Sequence, residues 1–312
     1  MEYGAHLPLI DFGTSATLRT LKDYARAAAD LGYRYLCAND HLLFSRPWLD
    51  GLTALASVIE ESRDLALATT IALPVIRGPV QLAKALTAID VLSDGRLIVG
   101  VGPGSSAADY AAAGVSFDER YPRFAEAVRA LQALLAGDPE GFRGEFYSTE
   151  GVVLEPRPVQ RPRPPVWVAA WASTGGLRLA ARRGDGWLAS AYNTTPDLFQ
   201  ASLRRIEEEL RSAERDLAGF TNAIGTAWLY VTEDARRADR ILTEVLAPML
   251  RRDPDALRAL SLPIGPAEDC AERLSRFAES GARRVFVWPL GDDLAQLALF
   301  SERVVPLIRA LQ

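Results

Sequence analysis

Two histidines, two cysteines and two methionines in 312 residues leave little reactive side-chain chemistry to distribute. Cys37 and Cys270 have no metal-ligand spacing and form no disulfide framework, so a reducing compartment is expected and a metal site is not. Lysines are few, and none sits at the end of an apolar run where a Schiff base would form. There is no Gly-x-Ser-x-Gly elbow and no Ser-His-acid set. No apolar run approaches the ~20 residues of a membrane span. The opening Met-Glu-Tyr-Gly lacks the basic-then-apolar form of a signal peptide, so a cytoplasmic protein is expected. A net charge of −5 argues against nucleic acid, whose phosphates need a basic face. The arginine pairs (Arg182-Arg183, Arg204-Arg205, Arg251-Arg252) lie among acids and read as solvated helix faces.

What is present is an ordinary globular composition, 49 % hydrophobic and 24 % charged, with enough apolar mass for a sizeable core. Eight short apolar runs, at 3–9, 33–38, 65–73, 97–101, 166–171, 186–191, 223–231 and 284–289, are continuous and not alternating. Continuous runs are the mark of parallel strands covered on both faces. Between them lie stripes at helical spacing, such as Leu82, Leu86, Ile89 and Leu92, or Phe124, Val128, Leu131 and Leu135. Eight strand-then-helix units predict a closed (β/α)8 TIM barrel spanning 1–312 as one domain. Two connections are too long for simple turns. The stretch at about 103–165 holds a helix, a small hairpin around 141–147 and a Pro-rich linker, and reads as an insertion after strand four. The stretch at about 233–265 separates the last two strands. Both leave the C-terminal ends of strands, where covers over a site belong.

Candidate chemistry collects at those same ends. The second run stops abruptly at Asn39-Asp40-His41, which makes Asp40 and His41 the candidate catalytic pair, the alternative being a helix cap and a solvated turn. The third run closes on Leu73-Pro74 and leads to Arg77, a cation able to meet a phosphate or to pair with an acid. The fourth gives Gly102-Pro103-Gly104, suited either to backbone approach by a ligand or to a tight turn. The fifth gives Ala172-Ser173-Thr174-Gly175-Gly176 just before a helix, where unpaired N–H groups and two hydroxyls form an anion site or merely a cap. Phe44, Trp48, Tyr110, Trp171 and Tyr192 are placed to line the mouth, or to pack the barrel. So poor a set of acids, bases and nucleophiles implies a borrowed cofactor.

Taken together, Asn39-Asp40-His41, Leu73-Pro74 with Arg77 and Pro79, Asp94-Gly95-Arg96-Leu97 running into Gly100-Val101-Gly102-Pro103-Gly104, Pro164-Pro165-Val166-Trp167-Val168-Ala169-Ala170 and Arg183-Gly184-Asp185-Gly186-Trp187 resemble the bacterial luciferase-like flavin and deazaflavin oxidoreductases. The resemblance runs in order along nearly the whole chain. It implies the same barrel with an insertion after strand four, and a flavin-type ring at its mouth. His41 would be the active-site histidine, Ser173 and Gly176 would be phosphate positions, and Thr70 and Ile71 would form a bulge behind the ring, often with a non-proline cis peptide. Asn39 and Arg77 fall among the cofactor-binding positions. An Asp-His pair is similar to the deazaflavin (coenzyme F420) branch, which implies hydride transfer to or from a small organic substrate. FMN is the alternative cofactor, with a luciferase-like monooxygenase as the corresponding activity; a relative that binds flavin without catalysis is a third reading, and an unrelated phosphate-binding barrel enzyme a fourth. The deazaflavin sugar-phosphate dehydrogenases carry a Glu proton donor just after the strand-four glycines, whereas this chain has Ser105 and Ser106 there and no acid until Asp109. The resemblance also implies a possible homodimer.

Overall fold

The computed structural model describes residues 1–13 and 16–311. Its centre is one parallel sheet closed on itself. The barrel strands are β1 (Glu2–His6), β2 (Tyr35–Ala38), β3 (Ala66–Ala72), β4 (Leu97–Val101), β5 (Val166–Ala169), β6 (Gly186–Ser190), β7 (Thr221–Val231) and β9 (Arg284–Pro289). Neighbours pair in chain order, β6 pairs with β7, β7 with β9 and β9 with β1, so the ring has no free edge. This is the eight-stranded barrel expected from the eight apolar runs. One addition is β8 (Ile264–Gly265), two residues that pair with Tyr230 and Val231 outside the ring. Two residues of strand carry no periodicity, which is why no pattern in the sequence marks them.

The lower, N-terminal end of the barrel is filled. Phe286 lies 5.3 Å from the ring of Tyr35 and 6.4 Å from that of Trp167, and the Arg284 guanidinium sits over both Tyr35 and Trp167 while pairing with Glu2 at 3.0 Å. Gly4 makes room for this plug, since a Cβ there would stand 2.6 Å from Phe286 Cδ1. A packed floor leaves only the C-terminal end for a ligand.

Around the ring lie the helices. Helix Leu18–Asp30 buries Leu21, Tyr24, Ala25 and Ala28 against the barrel, and Thr17 and Thr20 cap its start reciprocally. The last helical segment is not uniform. It runs as Asp293–Leu299, a π-helical stretch Phe300–Val304, then Val305–Leu311. Pro306 explains the change of register, because it cannot donate to the carbonyl one turn back. Pro248 stands in the same relation to the π-helical stretch Ile241–Leu246. No helix among the described residues is long and apolar enough to cross a membrane.

Two carboxylates organise the long connection between β4 and β5. Glu126, on helix Arg120–Ala136, accepts from the backbone N–H groups of Glu145, Phe146 and Tyr147 and so docks a minimal hairpin whose one bridge joins Arg143 to Ser148. Asp90, fully buried near the end of helix Pro79–Leu92, accepts from Val159 N at 2.7 Å, Gln160 N at 3.2 Å and Gln160 Nε2 at 2.7 Å. That grip carries the Pro-rich linker along the outside of the barrel to the start of β5. The expected cover after strand four is therefore partial: its later half lies along the barrel wall. The connection at 233–265 does reach across the mouth, where Arg252 donates to Tyr192 O at 2.5 Å and to Asn193 Oδ1, and Ser45 Oγ lies 3.4 Å from Met249 O. Replacing Asp90 by Ala would take the acceptor from the N–H groups of Val159 and Gln160; unfolding in urea is expected to show a loss of about 1–2 kcal/mol with an unchanged m-value.

Candidate active site

The end of β2 and the loop after β3 are tied by one ion pair. Asp40 is 3 % exposed, and its carboxylate takes both Nε and Nη2 of Arg77 at 2.7 Å as well as the N–H of Leu73 at 3.2 Å. Arg77 also hydrogen-bonds Asp50, the N-cap of helix Gly51–Ser57. Burial would push the Asp50 carboxyl up, but the Arg77 contact and the hydrogen bonds from Thr53 outweigh it, and it lies below its ordinary value. Of the two roles open to Arg77, pairing with an acid is the one present. Asp40 has both of its oxygens engaged, by Arg77 and by the Leu73 N–H, and ties the two loops together.

His41 has a different acid. Its Nδ1 lies 2.8 Å from Oδ2 of Asp109, while Oδ1 of Asp109 accepts from the N–H of Leu43 at 2.8 Å. Asp109 is 1 % exposed and sits in helix Ala107–Ala112, whose N-cap Ser106 accepts from the Asp109 N–H. Burial raises the Asp109 carboxyl, but the hydrogen bonds from His41 and from the Leu43 and Leu42 N–H groups more than offset this and hold it below the usual carboxylate range. An ionised carboxylate only accepts, so Nδ1 of His41 carries a proton and donates it to Asp109. Asp109 was not among the sequence candidates. Its signal was there: a hydroxyl cap followed three residues on by an acid opens a helix at the right end of β4.

Beside His41 the rings of Phe44 and Trp48 lie at 5.1 and 4.8 Å. Trp48 stands edge-on to Trp288 at 5.4 Å, and Trp288 stacks on Trp228 at 4.7 Å and on His6 at 4.3 Å. The indole N–H groups of Trp48, Trp228 and Trp288 are all buried with no hydrogen-bond partner. His6, at the end of β1, is wholly buried, and burial lowers its pKa to about 3, so it stays neutral. Its Nε2 faces the Thr226 N–H at 3.4 Å and its Nδ1 faces Thr70 Oγ1 at 3.5 Å. Tyr110 belongs to the packing: it is fully buried and donates to Pro103 O. Trp171 stands half exposed at the rim.

Thr70 and Ile71 form the irregularity expected of them. The register of β3 on β4 shifts between Thr69 and Ala72, and the Thr70–Ile71 peptide is cis. Asn39 steadies it from the next strand, its Oδ1 accepting from the N–H of Ile71 at 3.3 Å and of Asp40 at 2.6 Å. Gly102 packs under this bulge: a Cβ there would stand 2.1 Å from Ile71 Cδ1 and the Ile71 side chain would have to move. Beyond it the chain runs irregularly, with Gly104 at φ +74° and the carbonyl of Pro103 accepting from Tyr110.

No such account covers Gly175. Ser173 caps helix Thr174–Arg183 by accepting from Gly176 N at 3.3 Å, and Ala172 leads into it. Gly175 has no atom within 4 Å of its would-be Cβ and no unusual φ. A glycine in a first turn costs about 1 kcal/mol relative to alanine, and here neither packing nor conformation asks for it. The helix start is exposed, with the Thr174 and Gly175 amides free of intrahelical acceptors.

The profile of the luciferase-like monooxygenase family matches residues 6–284. An F420-dependent glucose-6-phosphate dehydrogenase of Gordonia bronchialis is 32 % identical over 222 residues, which are 66 % of this chain and 63 % of the relative. One of the same name from Amycolatopsis mediterranei is 26 % identical over 94 % of this chain and 95 % of its own. An F420-dependent secondary alcohol dehydrogenase solved with an F420-acetone adduct superposes with a TM-score of 0.84 at 20 % identity, covering 99 % of both chains. The monooxygenase RslO1 of Streptomyces bottropensis also gives 0.84, at 23 % identity over 98 % of this chain and 99 % of its own. At such identities the two superpositions speak for the fold.

The His41–Asp109 pair makes a prediction of its own. Asp109→Asn keeps the shape but trades the carboxylate for an amide, and turnover with a competent cofactor and substrate is expected to fall roughly 10- to 100-fold. Because the folded carboxyl is depressed, its contribution to stability is full above the ordinary Asp value of about 3.9 and is lost as pH falls through the lower folded value. The stability gap between wild type and Asp109→Asn in urea should be open at pH 6 and closed near pH 2.

Proposed function

Since the chain belongs to the luciferase-like monooxygenase family, we propose that it is an oxidoreductase that moves a hydride between the deazaflavin coenzyme F420 and a small organic substrate. The names of the Gordonia and Amycolatopsis relatives support the choice of cofactor. The observation that carries the reading is His41, an imidazole at the mouth held in one tautomer by a buried carboxylate. A deazaflavin accepts or gives a hydride, two electrons at once, which no side chain here can do.

The residues at the mouth fit such a group. The open N-terminus of helix Thr174–Arg183, with Ser173, Thr174 and the uncovered Gly175, would hold a phosphate through backbone N–H groups. Ile71 and its bulge, braced by Asn39, would back the ring. His41 Nε2 would take a proton from a substrate hydroxyl or return one to a carbonyl oxygen. Asp40 would act at one remove, keeping Arg77 and the loop after β3 in place.

Titrating the protein with F420 and with FMN, each followed by cofactor fluorescence, tests this directly. F420 is expected to bind at least about tenfold tighter; tighter FMN would turn the reading to a monooxygenase, and tight F420 binding without turnover of any alcohol, ketone or imine would turn it to a non-catalytic relative. Gly175→Asp, with open space around its side chain, should weaken F420 by about 100-fold through repulsion while leaving the melting temperature of the cofactor-free protein unchanged. Unaltered affinity would move the phosphate elsewhere.

A further inference from the structure

We propose, resting on that reading, that His6 is a positioning residue: a buried imidazole set between the irregularities of β3 and β7, which fixes the Thr70–Ile71 bulge on which the cofactor ring would rest. His6 ends β1 and is wholly buried, and no step of the proposed chemistry uses it. The strands run in the order β3-β2-β1-β9-β7, so its side chain reaches past one strand on each side. Toward β3 its Nδ1 lies 3.5 Å from Thr70 Oγ1, and toward β7 its Nε2 lies 3.4 Å from the Thr226 nitrogen. Both partners stand at breaks in the ladder. The register of β3 on β4 shifts between Thr69 and Ala72, and that of β7 on β9 shifts between Ile224 and Ala227. Thr226 takes φ +54°, a conformation that β-branched residues rarely adopt.

These partners also settle where the ring proton sits. Burial lowers the His6 pKa to about 3, so the ring is neutral and carries one N–H. The Thr226 amide only donates, so Nε2 accepts. Nδ1 then holds the proton and donates to Thr70 Oγ1, which frees the Thr70 hydroxyl to donate to Ala38 O at 3.5 Å. Donation thus runs one way, from β7 through His6 to β3 and on to β2. Each of these contacts is long, and the stack supplies the orientation they lack. The His6 ring lies 4.3 Å from that of Trp288 and within 7° of parallel, which fixes its tilt and so what each nitrogen meets. The bulge is therefore held at two points, Thr70 by His6 and the Ile71 N–H by Asn39.

His6→Phe keeps a ring against Trp288 and removes both nitrogens, and Thr70→Val removes the hydroxyl at nearly constant volume. Amide hydrogen exchange on the cofactor-free proteins reads the bulge directly. Exchange at Ile71 is expected to quicken about tenfold in either single variant, with the amides of β1 unchanged. The Kd for F420 should rise about tenfold in each single variant and by no more than that in the double variant, because the two residues act through one contact. Unchanged exchange at Ile71, or losses of affinity that multiply in the double variant, overturns the proposal. So does a lowered melting temperature with wild-type Kd, the mark of a residue that only packs. Should His6→Phe not fold, Thr70→Val decides alone, and wild-type exchange at Ile71 in that variant overturns the proposal. Failure of the wild-type protein to bind F420 overturns the cofactor reading and leaves the exchange comparison standing, since that is made without cofactor.

Discussion

A buried parallel strand cannot leave its N–H and C=O groups bare, and the architecture follows from how this chain meets that demand. The ring closes between β9 and β1, so each strand finds two neighbours. Where β9 gives out, at Pro289 opposite Leu229, a side chain takes over: Gln296 accepts from Val231 N at 2.6 Å and donates to Val231 O at 3.1 Å. A closed ring with an aromatic floor has one open end, and every strand delivers its last residues there. Candidate site residues arrive from β1, β2, β3, β4, β5, β7 and β9, segments spread along the whole chain.

Within that frame, three carboxylates divide the labour. Asp40 and Asp109 are both nearly inaccessible and both lie beside the end of β2, yet one neutralises Arg77 and the other orients His41. The division follows from geometry. Along an extended chain, successive side chains point to opposite sides, so Asp40 and His41, adjacent in sequence, turn away from each other, one toward the loop after β3 and the other toward the helix after β4. Asp50 takes the remaining reach of Arg77. The arginine is thereby bound into the scaffold, and the mouth is left with an imidazole and aromatic rings in place of a field of positive charge.

Elsewhere, carboxylates act as anchors for backbone that has no sheet or helix to satisfy it. Asp90 and Glu126 hold the long connection after β4, and Asp185 accepts from Val166 N while pairing with Arg163, fixing where β5 begins. Arg96 does the converse work with donors, reaching Ser93 O, Leu65 O and Ile59 O below β3 and β4. The Asp94-Gly95-Arg96 motif is thus a structural staple: Asp94 and Gly95 take positive φ to turn the chain and Arg96 locks the turn. All but one of these contacts join residues 19 to 69 positions apart, and most leave no local trace in the sequence.

The sequence by itself determined the barrel. Continuous apolar runs separated by helical stripes admit few arrangements once every strand must be covered on both faces, and the runs at 97–101 and 284–289 coincide with β4 and β9 to the residue. It also placed His41 and the Ser173–Gly176 helix start at the open end, because strand ends are local features; the Thr70–Ile71 irregularity was expected from the family resemblance alone. Only the tertiary structure decided the pairings. Which acid faces His41, whether Arg77 is free or bound, and which glycines serve packing are questions of what lies across the barrel, and side chains separated by 68 positions, as His41 and Asp109 are, meet only after the ring has closed. Gly102 and Gly175 look alike as letters; one is filled by Ile71 and the other faces open space, a difference made wholly by neighbours remote in the chain.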